Sequence, residues 1–476
     1  MSDFPPTSSL RTARLSLAEL RGRRVTVMGL GSFGGGAGAV EFLVRQGARV
    51  TLTDLRSEEV LAPQLAALGE CQPERLHLGG HREADFTETE LLVINPAVPR
   101  DNAFVQLATV AGVPQTSEMN LFWQFNRSRV IGVTGSNGKS TTTAMTHALL
   151  AATGNRCWLG GNIGGSLLPR VGEIGGEDWV ILELSSFQLD DLDALQASPQ
   201  IAVVTNFSPN HLDRHGTLDE YRRAKQTILR WQCSDDWAVL NDDDADVRDW
   251  PTAGRRVHFG LSVPEVPRDG IFDSGSSAVF RLGDREQILP LRDWLTLPGR
   301  HNLQNALAAT AAALLAGASL DAVQSGLRHY KALPHRLELV GVHAGRRFYN
   351  DSLATTPESV VVALEAFDAP LVLIAGGYDK GVSLESLVEK ACRKPIKAAA
   401  LIGQTASALA AAFEKYDPQR TILRQECTTF DEAFAWSVSV AAPGDVVLLS
   451  PGCASYDWFR NFADRGEQFA RRVHAL

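Results

Sequence analysis

The chain has 476 residues, of which 44% are hydrophobic and 21% charged, a balance that buries large cores and exceeds what one ordinary domain holds. The formal net charge of −9 excludes a sequence-independent grip on nucleic acid, which needs a surplus of Lys and Arg. No apolar run reaches membrane-spanning length, and MSDFPPTSSLRTARLSL lacks the apolar centre of a secretory signal. The six cysteines are scattered without a CxxC pair, a pattern of reduced thiols in the cytoplasm rather than of disulfides or a zinc site.

Residues 1–22, Pro/Ser-rich and then Arg-rich, read as a loose lead-in. An apolar strand from Val25 to Met28 then enters Gly29-Leu30-Gly31-Ser32-Phe33-Gly34, a literal GxGxxG, followed by a helical pattern from Ala39 to Gln46. A second strand, Arg49 to Thr53, delivers Asp54 at 20 residues beyond Gly34, where a Rossmann unit places its ribose-binding acid. This context predicts a nucleotide phosphate on the helix N-terminus without naming the nucleotide. A third strand, Leu91 to Ile94, ends in Asn95-Pro96-Ala97-Val98, a turn at the carboxyl edge where ligands gather. The first domain is expected to span 23–125.

The second domain, expected over 126–333, opens on VIGVTGSNGKSTTTA. A strand feeds Gly135-Ser136-Asn137-Gly138, then Lys139-Ser140-Thr141 and a helical pattern from Thr143 to Leu150. Only two residues separate Gly135 from Gly138, against four in the strict P-loop. Strand, glycines, lysine, hydroxyls and helix are nevertheless all present, which predicts nucleotide-phosphate binding with Mg²⁺ on Ser140 or Thr141. Gly160 to Gly164 form a glycine-rich loop carrying Asn162. The strand Trp179 to Leu182 ends in Glu183, a position suited to holding Mg²⁺ beside a phosphate loop. After the strand Ile201 to Thr205 come His211 and His215, of which His211 is the better ligand candidate and His215 reads as structural. A helix from Tyr221 to Leu229 carries Lys225. A bare ammonium beside Mg²⁺ is repelled, so Lys225 is an ordinary exposed lysine or is carbamylated to an anion. Asn302 and Asn305 open an Ala/Leu-rich helix and either cap it or contact a nucleotide.

Leu333-Pro334-His335-Arg336 reads as a linker into a third α/β domain, 334–476. Its strands are expected at Phe348-Tyr349, Leu371 to Ala375, Ala398 to Ile402 and Val446 to Leu449. The loops after them, Asn350-Asp351-Ser352, Gly376-Gly377-Tyr378-Asp379-Lys380-Gly381 and Ser450-Pro451-Gly452-Cys453-Ala454-Ser455, are polar and specific.

TGSNGKST, ELSSFQL, Asn210-His211-Leu212-Asp213, YRRAKQ, GRHNLQNALAA, LPHRLE, NDS, GGYDKG and LLSPGCASYDWFRNF together resemble the Mur ligase family, in the family's motif order and over nearly the whole chain. The resemblance implies a Rossmann-like UDP-binding domain, a central P-loop ATPase domain on a mostly parallel sheet, and a C-terminal Rossmann-like domain. It implies an ATP-dependent ligase of peptidoglycan precursor synthesis that joins D-glutamate to UDP-N-acetylmuramoyl-L-alanine through an acyl phosphate and a tetrahedral intermediate. By resemblance Lys139 holds the β- and γ-phosphates, Ser140 and Glu183 one Mg²⁺, and His211 with carbamylated Lys225 a second. Gly135, Asn137, Gly138, Thr141, Asn302, Asn305, Arg336 and Asp351 complete the ATP site, and His335 lies at the reacting centre. Ser32, Phe33, Asp54, Leu55 and Arg56 meet the uridine, Asn95 and Ala97 the diphosphate, and Asn162 the same substrate. Thr355, Lys380, Ser455 and Phe462 match the glutamate-binding positions. The implied enzyme is a cytoplasmic monomer acting on small molecules, with neither nucleic acid nor membrane as partner. Three positions depart from the family pattern: Leu353 stands where the glutamate-adding branch commonly has Lys, Ala97 where a glycine is usual, and Tyr378 where a smaller residue is frequent. The NDSxxTTP stretch also resembles related ligases that add L-glutamate. Two further readings are an NAD-dependent oxidoreductase, which leaves the P-loop and the third domain unexplained, and a non-catalytic nucleotide-binding regulator, for which Lys139 is dispensable.

Overall fold

Short apolar runs alternate with helical segments throughout, and in the computed structural model, which describes residues 15–31 and 34–476, they build three sheets in chain order. The first sheet comprises β1 (Arg24–Met28), β2 (Arg49–Asp54), β3 (Arg75–Leu78), β4 (Leu91–Ile94) and β5 (Gln115–Thr116), in the order β3-β2-β1-β4-β5. Every pairing is parallel. Strands β1 and β4 are apolar on both faces: Val25, Val27 and Val93 join one core cluster, while Met28, Leu92 and Ile94 join another with Phe86 and Val105. A parallel sheet buried on both sides needs helices on both sides, which is why its strands read as unbroken apolar runs. The strand order reverses between β1 and β4, so their carboxyl ends open a crevice at the switch point.

The second sheet holds β6 (Arg129–Thr134), β7 (Cys157–Gly161), β8 (Trp179–Glu183), β9 (Ile201–Val204), β10 (Trp237–Asn241), β11 (Arg255–Gly260), β12 (Gly270–Asp273), β13 (Ala278–Leu282) and β14 (Arg285–Leu289). Its order is β14-β13-β12-β11-β10-β9-β6-β8-β7, parallel from β7 to β12 and antiparallel across the last two pairings. Strand β6 lies between β8 and β9 with Ile131 and Val133 fully buried, so the loop that follows it leaves an interior strand of the sheet. The first two sheets share one compact unit, residues up to Trp294 with Gln304–Arg328, and one apolar cluster runs from Val25 and Leu43 through Leu121 and Leu168 to Leu189.

The expectation of a loose lead-in over 1–22 is corrected for its described part. Leu17–Leu20 form a 3₁₀ turn closed by a reciprocal Ser16–Glu19 capping box, and Leu20 is fully buried. The Leu15 N–H donates to Gln124 Oε1 at 2.9 Å.

The second compact unit, Leu295–Leu303 with His329–Leu476, contains the third sheet. Its strands are β15 (Glu338–His343), β16 (Arg346–Asn350), β17 (Leu371–Gly376), β18 (Ile396–Ile402), β19 (Leu423–Glu426) and β20 (Val446–Leu449), in the order β15-β16-β20-β17-β18-β19. Only the β15–β16 pair is antiparallel. The loops leaving β16 and β20 are tied by Arg465, a fully buried arginine that donates to Ser352 O at 2.9 Å and to Cys453 O at 3.1 Å. Three α/β layers thus agree with the fold expected from sequence. Among the described residues no helix is long and apolar enough to cross a membrane.

Candidate active site

The phosphate loop is shaped by its neighbours on β9. Gly135 has φ of 145°, and a Cβ there would fall 1.9 Å from Thr205 Oγ1, so no other residue fits. The Thr205 hydroxyl donates to Asn137 O at 2.6 Å, and the Asn137 N–H donates to Asn206 Oδ1 at 2.8 Å. Gly138 caps the helix Lys139–Ala151 in the left-handed region, where a side chain would strike Asn305 Oδ1. Asn305 in turn accepts from the Thr142 hydroxyl at 3.2 Å, which places it against the loop. The helix thereby presents its first N–H groups to the loop, with Ser140 and Thr141 buried in its first turn. Lys139 Nζ folds back onto Ser136 O at 2.9 Å.

Beside this loop β8 ends in Glu183, whose neighbour across the sheet is Val133. Glu183 is buried. Oε1 accepts from Asn162 Nδ2 at 2.9 Å, while Oε2 has no hydrogen-bond partner. A buried carboxylate oxygen without a partner calls for an explanation, and a hard cation supplies one. Lys225, on the helix Leu218–Arg230, is not the ordinary exposed lysine that its sequence context allows. It is 2% exposed, its Nζ donates to Gly135 O at 2.7 Å, and it lies 4.8 Å from the centre of the Tyr221 ring. Burial above all, then the Lys139 charge, pushes its amine well below the usual lysine range against the opposing pull of Glu183. His211 sits at φ 51° as the cap of the helix Leu212–His215, exposed, with its ring edge-on to Phe187 at 5.3 Å. His215 follows the structural reading: it is buried, meets the Ser186 hydroxyl at 2.9 Å, and is pushed down to about 4 chiefly by burial, so its ring is neutral. Among the described residues no three or more His, Cys, Asp or Glu side chains gather as ready metal ligands.

The crevice of the first sheet opens into the same cavity, about 640 Å³ in volume. Asp54, Leu55, Arg56, Asn95 and Ala97 line one end, and Asn162, Lys139, His211 and Lys225 the other. Glu183 and Ser140 are not on its wall; Asn162 connects Glu183 to it. Asp54 accepts from the Leu30 N–H at 2.9 Å and from Arg56 Nη2 at 2.8 Å. Burial works against its ionisation, but these hydrogen bonds outweigh burial and hold it below the usual carboxylate range. Asn95 Oδ1 accepts from the Ala97 N–H at 3.0 Å and fixes the turn. Ser32 and Phe33 lie outside the described residues.

In the second unit Thr355 and Lys380 line a smaller cavity of about 210 Å³ with Tyr378, Thr405 and Cys453. Ser455, which is buried, and Phe462 are not on its wall. Asp351 is buried, accepts from the Ser450 hydroxyl at 2.8 Å and from the Leu337 N–H at 3.1 Å, and burial pushes its carboxyl up to about 7. His335 has φ of 62° and its Nδ1 meets Asn350 Nδ2 at 3.0 Å. Arg336 acts on the same surroundings as a nearby positive charge on Asp351 and His301. Asn302 Nδ2 donates to Pro298 O at 2.7 Å.

Sequence reasoning missed four residues of the larger cavity or its frame. His81 lines it and meets the Thr53 hydroxyl at 2.7 Å; Glu118 and Ser166 line it as a pair; Arg214 Nη2 donates to Pro96 O at 3.1 Å and to Val98 O at 2.5 Å. No motif marks any of them. The one available signal for Glu118 was the Ser117-Glu118 helix start.

Three family models match in succession: the MurD-like N-terminal domain of Mur ligases over residues 23–117, the Mur ligase middle domain over 133–313, and the Mur ligase glutamate ligase domain over 335–453. A UDP-N-acetylmuramoylalanine–D-glutamate ligase of a Roseiflexus species is 40% identical, covering 96% of this chain and 100% of its own. The enzyme of the same name from Symbiobacterium thermophilum is 40% identical over 95% of this chain and 98% of its own. Among solved structures, the UDP-N-acetylmuramate-alanine ligase of Thermotoga maritima superposes with a TM-score of 0.60 at 19% identity, covering 95% of this chain and 99% of that one. A pseudomurein peptide ligase of Methanothermus fervidus does so with 0.57 at 18% identity, over 95% and 100%. These two likenesses establish the fold. With the relatives matched from end to end and all three domains in order, the chain belongs to the Mur ligase family.

Proposed function

We propose that this chain joins D-glutamate to UDP-N-acetylmuramoyl-L-alanine in an ATP-driven reaction. The observation that carries the reading is the single cavity running from Asp54 and Asn95 to Lys139, which lets a nucleotide bound at one end bring its far carboxylate to the phosphate loop. The names borne by the relatives at 40% identity support the choice of D-glutamate. An NAD-dependent oxidoreductase is set aside, because family membership accounts for the phosphate loop and third domain that it leaves idle.

In this reading the substrate carboxylate attacks the γ-phosphorus of ATP. An O–P bond forms, the bond to the β-phosphate oxygen breaks, and ADP leaves with the electron pair. The neutral amine of glutamate then attacks the acyl carbon and its surplus proton passes to solvent, and the tetrahedral intermediate breaks its C–O bond, phosphate leaving with the electron pair, to give the amide. The loop N–H groups of Gly135, Asn137 and Gly138, with Lys139 and Thr141, cradle the β- and γ-phosphates; this is positioning and charge stabilisation. Mg²⁺ held there would supply neutralisation of phosphate charge and alignment of the transferred group. Ser140 and Glu183 would hold one ion, consistent with the orphaned Glu183 oxygen, and His211 with Lys225 a second. For that role Lys225 must be an anion. Its buried amine, in the neutral form that burial favours, can attack CO₂: the N–C bond forms, one C=O pair moves to oxygen, and the amine proton passes to solvent, leaving a carbamate. Asn302, Asn305, Arg336 and Asp351 are assigned to ATP, and His335 positions the reacting groups. Ser32, Phe33, Asp54, Leu55 and Arg56 are assigned to uridine, Asn95, Ala97 and Asn162 to the rest of that substrate, and Thr355, Lys380, Ser455 and Phe462 to glutamate. The functional division runs 23–125, 126–333 and 334–476, and the enzyme works as a cytoplasmic monomer.

The test is phosphate release with ATP, Mg²⁺ and UDP-N-acetylmuramoyl-L-alanine, comparing D- with L-glutamate. Turnover with D-glutamate alone is expected, and makes Leu353 a tolerated departure. Turnover with L-glutamate alone moves the chain to the related branch with the chemistry intact. Release with neither overturns the substrate assignment, beginning with the third-domain contacts.

A further inference from the structure

Glu118 is a buried carboxyl in a cavity whose other occupant, on the reading above, is an anion. It opens the helix Glu118–Phe125, is only 8% exposed, and lines the large cavity together with Gly29, Gly31 and Asn95. One of its oxygens is bonded to the Ser166 hydroxyl, which also accepts from the Leu168 N–H at 3.2 Å. Its other oxygen, Oε2, faces Gly35, the first residue of the helix Gly35–Arg45, at 3.9 Å from where a Cβ would stand. Glu118 therefore sits beside the helix start on which the first glycine turn sets a diphosphate.

We propose that Glu118 is a substrate-binding residue that takes up a proton when the nucleotide's diphosphate settles on the first turn of the helix Gly35–Arg45, and then donates a hydrogen bond to it. The proposal rests on the nucleotide reading given above. A carboxylate and a diphosphate cannot share a buried space with both fully ionised, because each disfavours the other's charge. The protonated carboxyl removes the repulsion and adds a donor where the ligand offers only acceptors. Burial, against the Ser166 hydrogen bond, already pushes the free carboxyl up to about 7, so the proton costs little near neutral pH.

The other charged groups on elements packed around Glu118 are engaged elsewhere. Glu41 pairs with Arg45 on the helix Gly35–Arg45, and Arg170 pairs with Glu173 on the 3₁₀ turn Leu168–Glu173. On the helix Ser186–Asp193, Asp191 pairs with Arg100 and Asp193 with Arg230, while Asp190 is raised to about 6 by burial. Lys139 shares the cavity wall.

The experiment is calorimetric binding of UDP-N-acetylmuramoyl-L-alanine to the full-length protein. This ligand has no group of its own that titrates near neutral pH. In two buffers of different ionisation enthalpy at about pH 8, the heat is expected to differ by an amount corresponding to uptake of close to one proton. The dissociation constant is expected to rise about tenfold per pH unit above about pH 7. Glu118→Gln, which keeps the donor and cannot titrate, is expected to bind with a flat pH profile and no buffer-dependent heat. Buffer-independent heat in the unsubstituted protein overturns the proposal while leaving the nucleotide reading intact, and so does an unchanged pH slope in Glu118→Gln. Absence of binding at every pH overturns the nucleotide reading and the proposal with it.

Discussion

The chain builds one piece of local architecture twice. In the first and second sheets a buried parallel strand enters a glycine turn, and a glycine in the left-handed region, Gly34 at φ 85° and Gly138 at φ 80°, caps the following helix. The difference lies in what stands behind each turn. Behind the first, Asp54 is satisfied at rest by the Leu30 N–H and by Arg56, and it holds the turn in shape. Behind the second, Glu183 keeps one oxygen without a partner and Lys225 keeps its amine buried between the opposing charges of Lys139 and Glu183. Both turns offer N–H groups to an anion. On the proposed function, the first recognises one, and the second stores an unsatisfied carboxylate oxygen that a metal would complete. The glycine pattern alone supplies a cradle; the neighbouring side chains decide whether it binds or reacts.

The sharpest way to break that contrast is Lys139→Ala. The loop's shape is set by Gly135, Gly138 and Thr205, so the fold is expected to survive, with an unchanged far-ultraviolet dichroism spectrum. Phosphate release is expected to fall by about 10³-fold in kcat, the scale of losing a charge that acts on the transferring group. Binding of UDP-N-acetylmuramoyl-L-alanine is expected to change by no more than about threefold, since that contact is uniform binding at the other end of the cavity. Intact turnover would favour the non-catalytic regulator and end the division of labour between the turns.

Lys225→Met sharpens it next, with an expected loss of about 10²-fold in kcat as a metal ligand disappears. Stability is expected to move the other way. Burial holds the folded-state amine well below its ordinary value of 10.5, so between the two values the unfolded chain binds a proton that the native chain does not. The native state is therefore penalised at neutral pH, and the penalty shrinks as pH rises toward 10.5. In bicarbonate-free buffer the melting temperature of Lys225→Met is expected to exceed that of the parent at about pH 7, with the gap narrowing by about pH 9. A lower melting temperature at neutral pH would mean that the ammonium is satisfied in the fold and that the site is not held in waiting.

Much of this contrast was legible in the sequence, because both turns follow strands buried on both faces and so read as unbroken apolar runs: Val25 to Met28, Val130 to Val133 and Trp179 to Leu182. Glu183 and Asp54 were found by their place at strand ends, and Lys139 by the glycine loop that precedes it. What escaped was whatever depends on distant packing. Glu118 gains its setting from Ser166, 48 residues on, and His81 from Thr53, 28 residues back. The outermost strand of the second sheet, β14, was missed because it is mostly exposed and carries no apolar run. Lys225 looked like a surface residue because YRRAKQ is polar; the helix turns that one lysine inward while Arg222 and Arg223 stay nearer solvent.

Arg56→Ala tests the recognition turn itself. It removes the two-pronged partner of Asp54, and the expected result is a rise of about tenfold in KM for the nucleotide substrate with kcat unchanged. A fall in kcat instead would place the first turn in the chemistry and erase the distinction between the two.

The smallest expected effect falls on the link between the turns. Arg214 belongs to the four-residue helix capped by His211, and its guanidinium reaches across to the carbonyls of Pro96 and Val98 while lying 5.3 Å from the centre of the Phe187 ring. It therefore fixes the diphosphate-facing turn of the first sheet relative to a proposed metal ligand of the second. Arg214→Ala removes charge-assisted hydrogen bonds that are partly exposed, worth about 1 kcal/mol together, or about fivefold in KM for the nucleotide. Arg214→Lys cannot fork between two carbonyls and is expected to recover less than half of that loss in free energy. Because Arg214 acts on the position of the turn and Arg56 on Asp54, the two substitutions share no partner and their effects on KM should multiply. If the double variant is no worse than Arg56→Ala alone, the two residues serve one rigid unit, and recognition and reaction are coupled through Pro96 to Val98 more tightly than two separate cradles would allow.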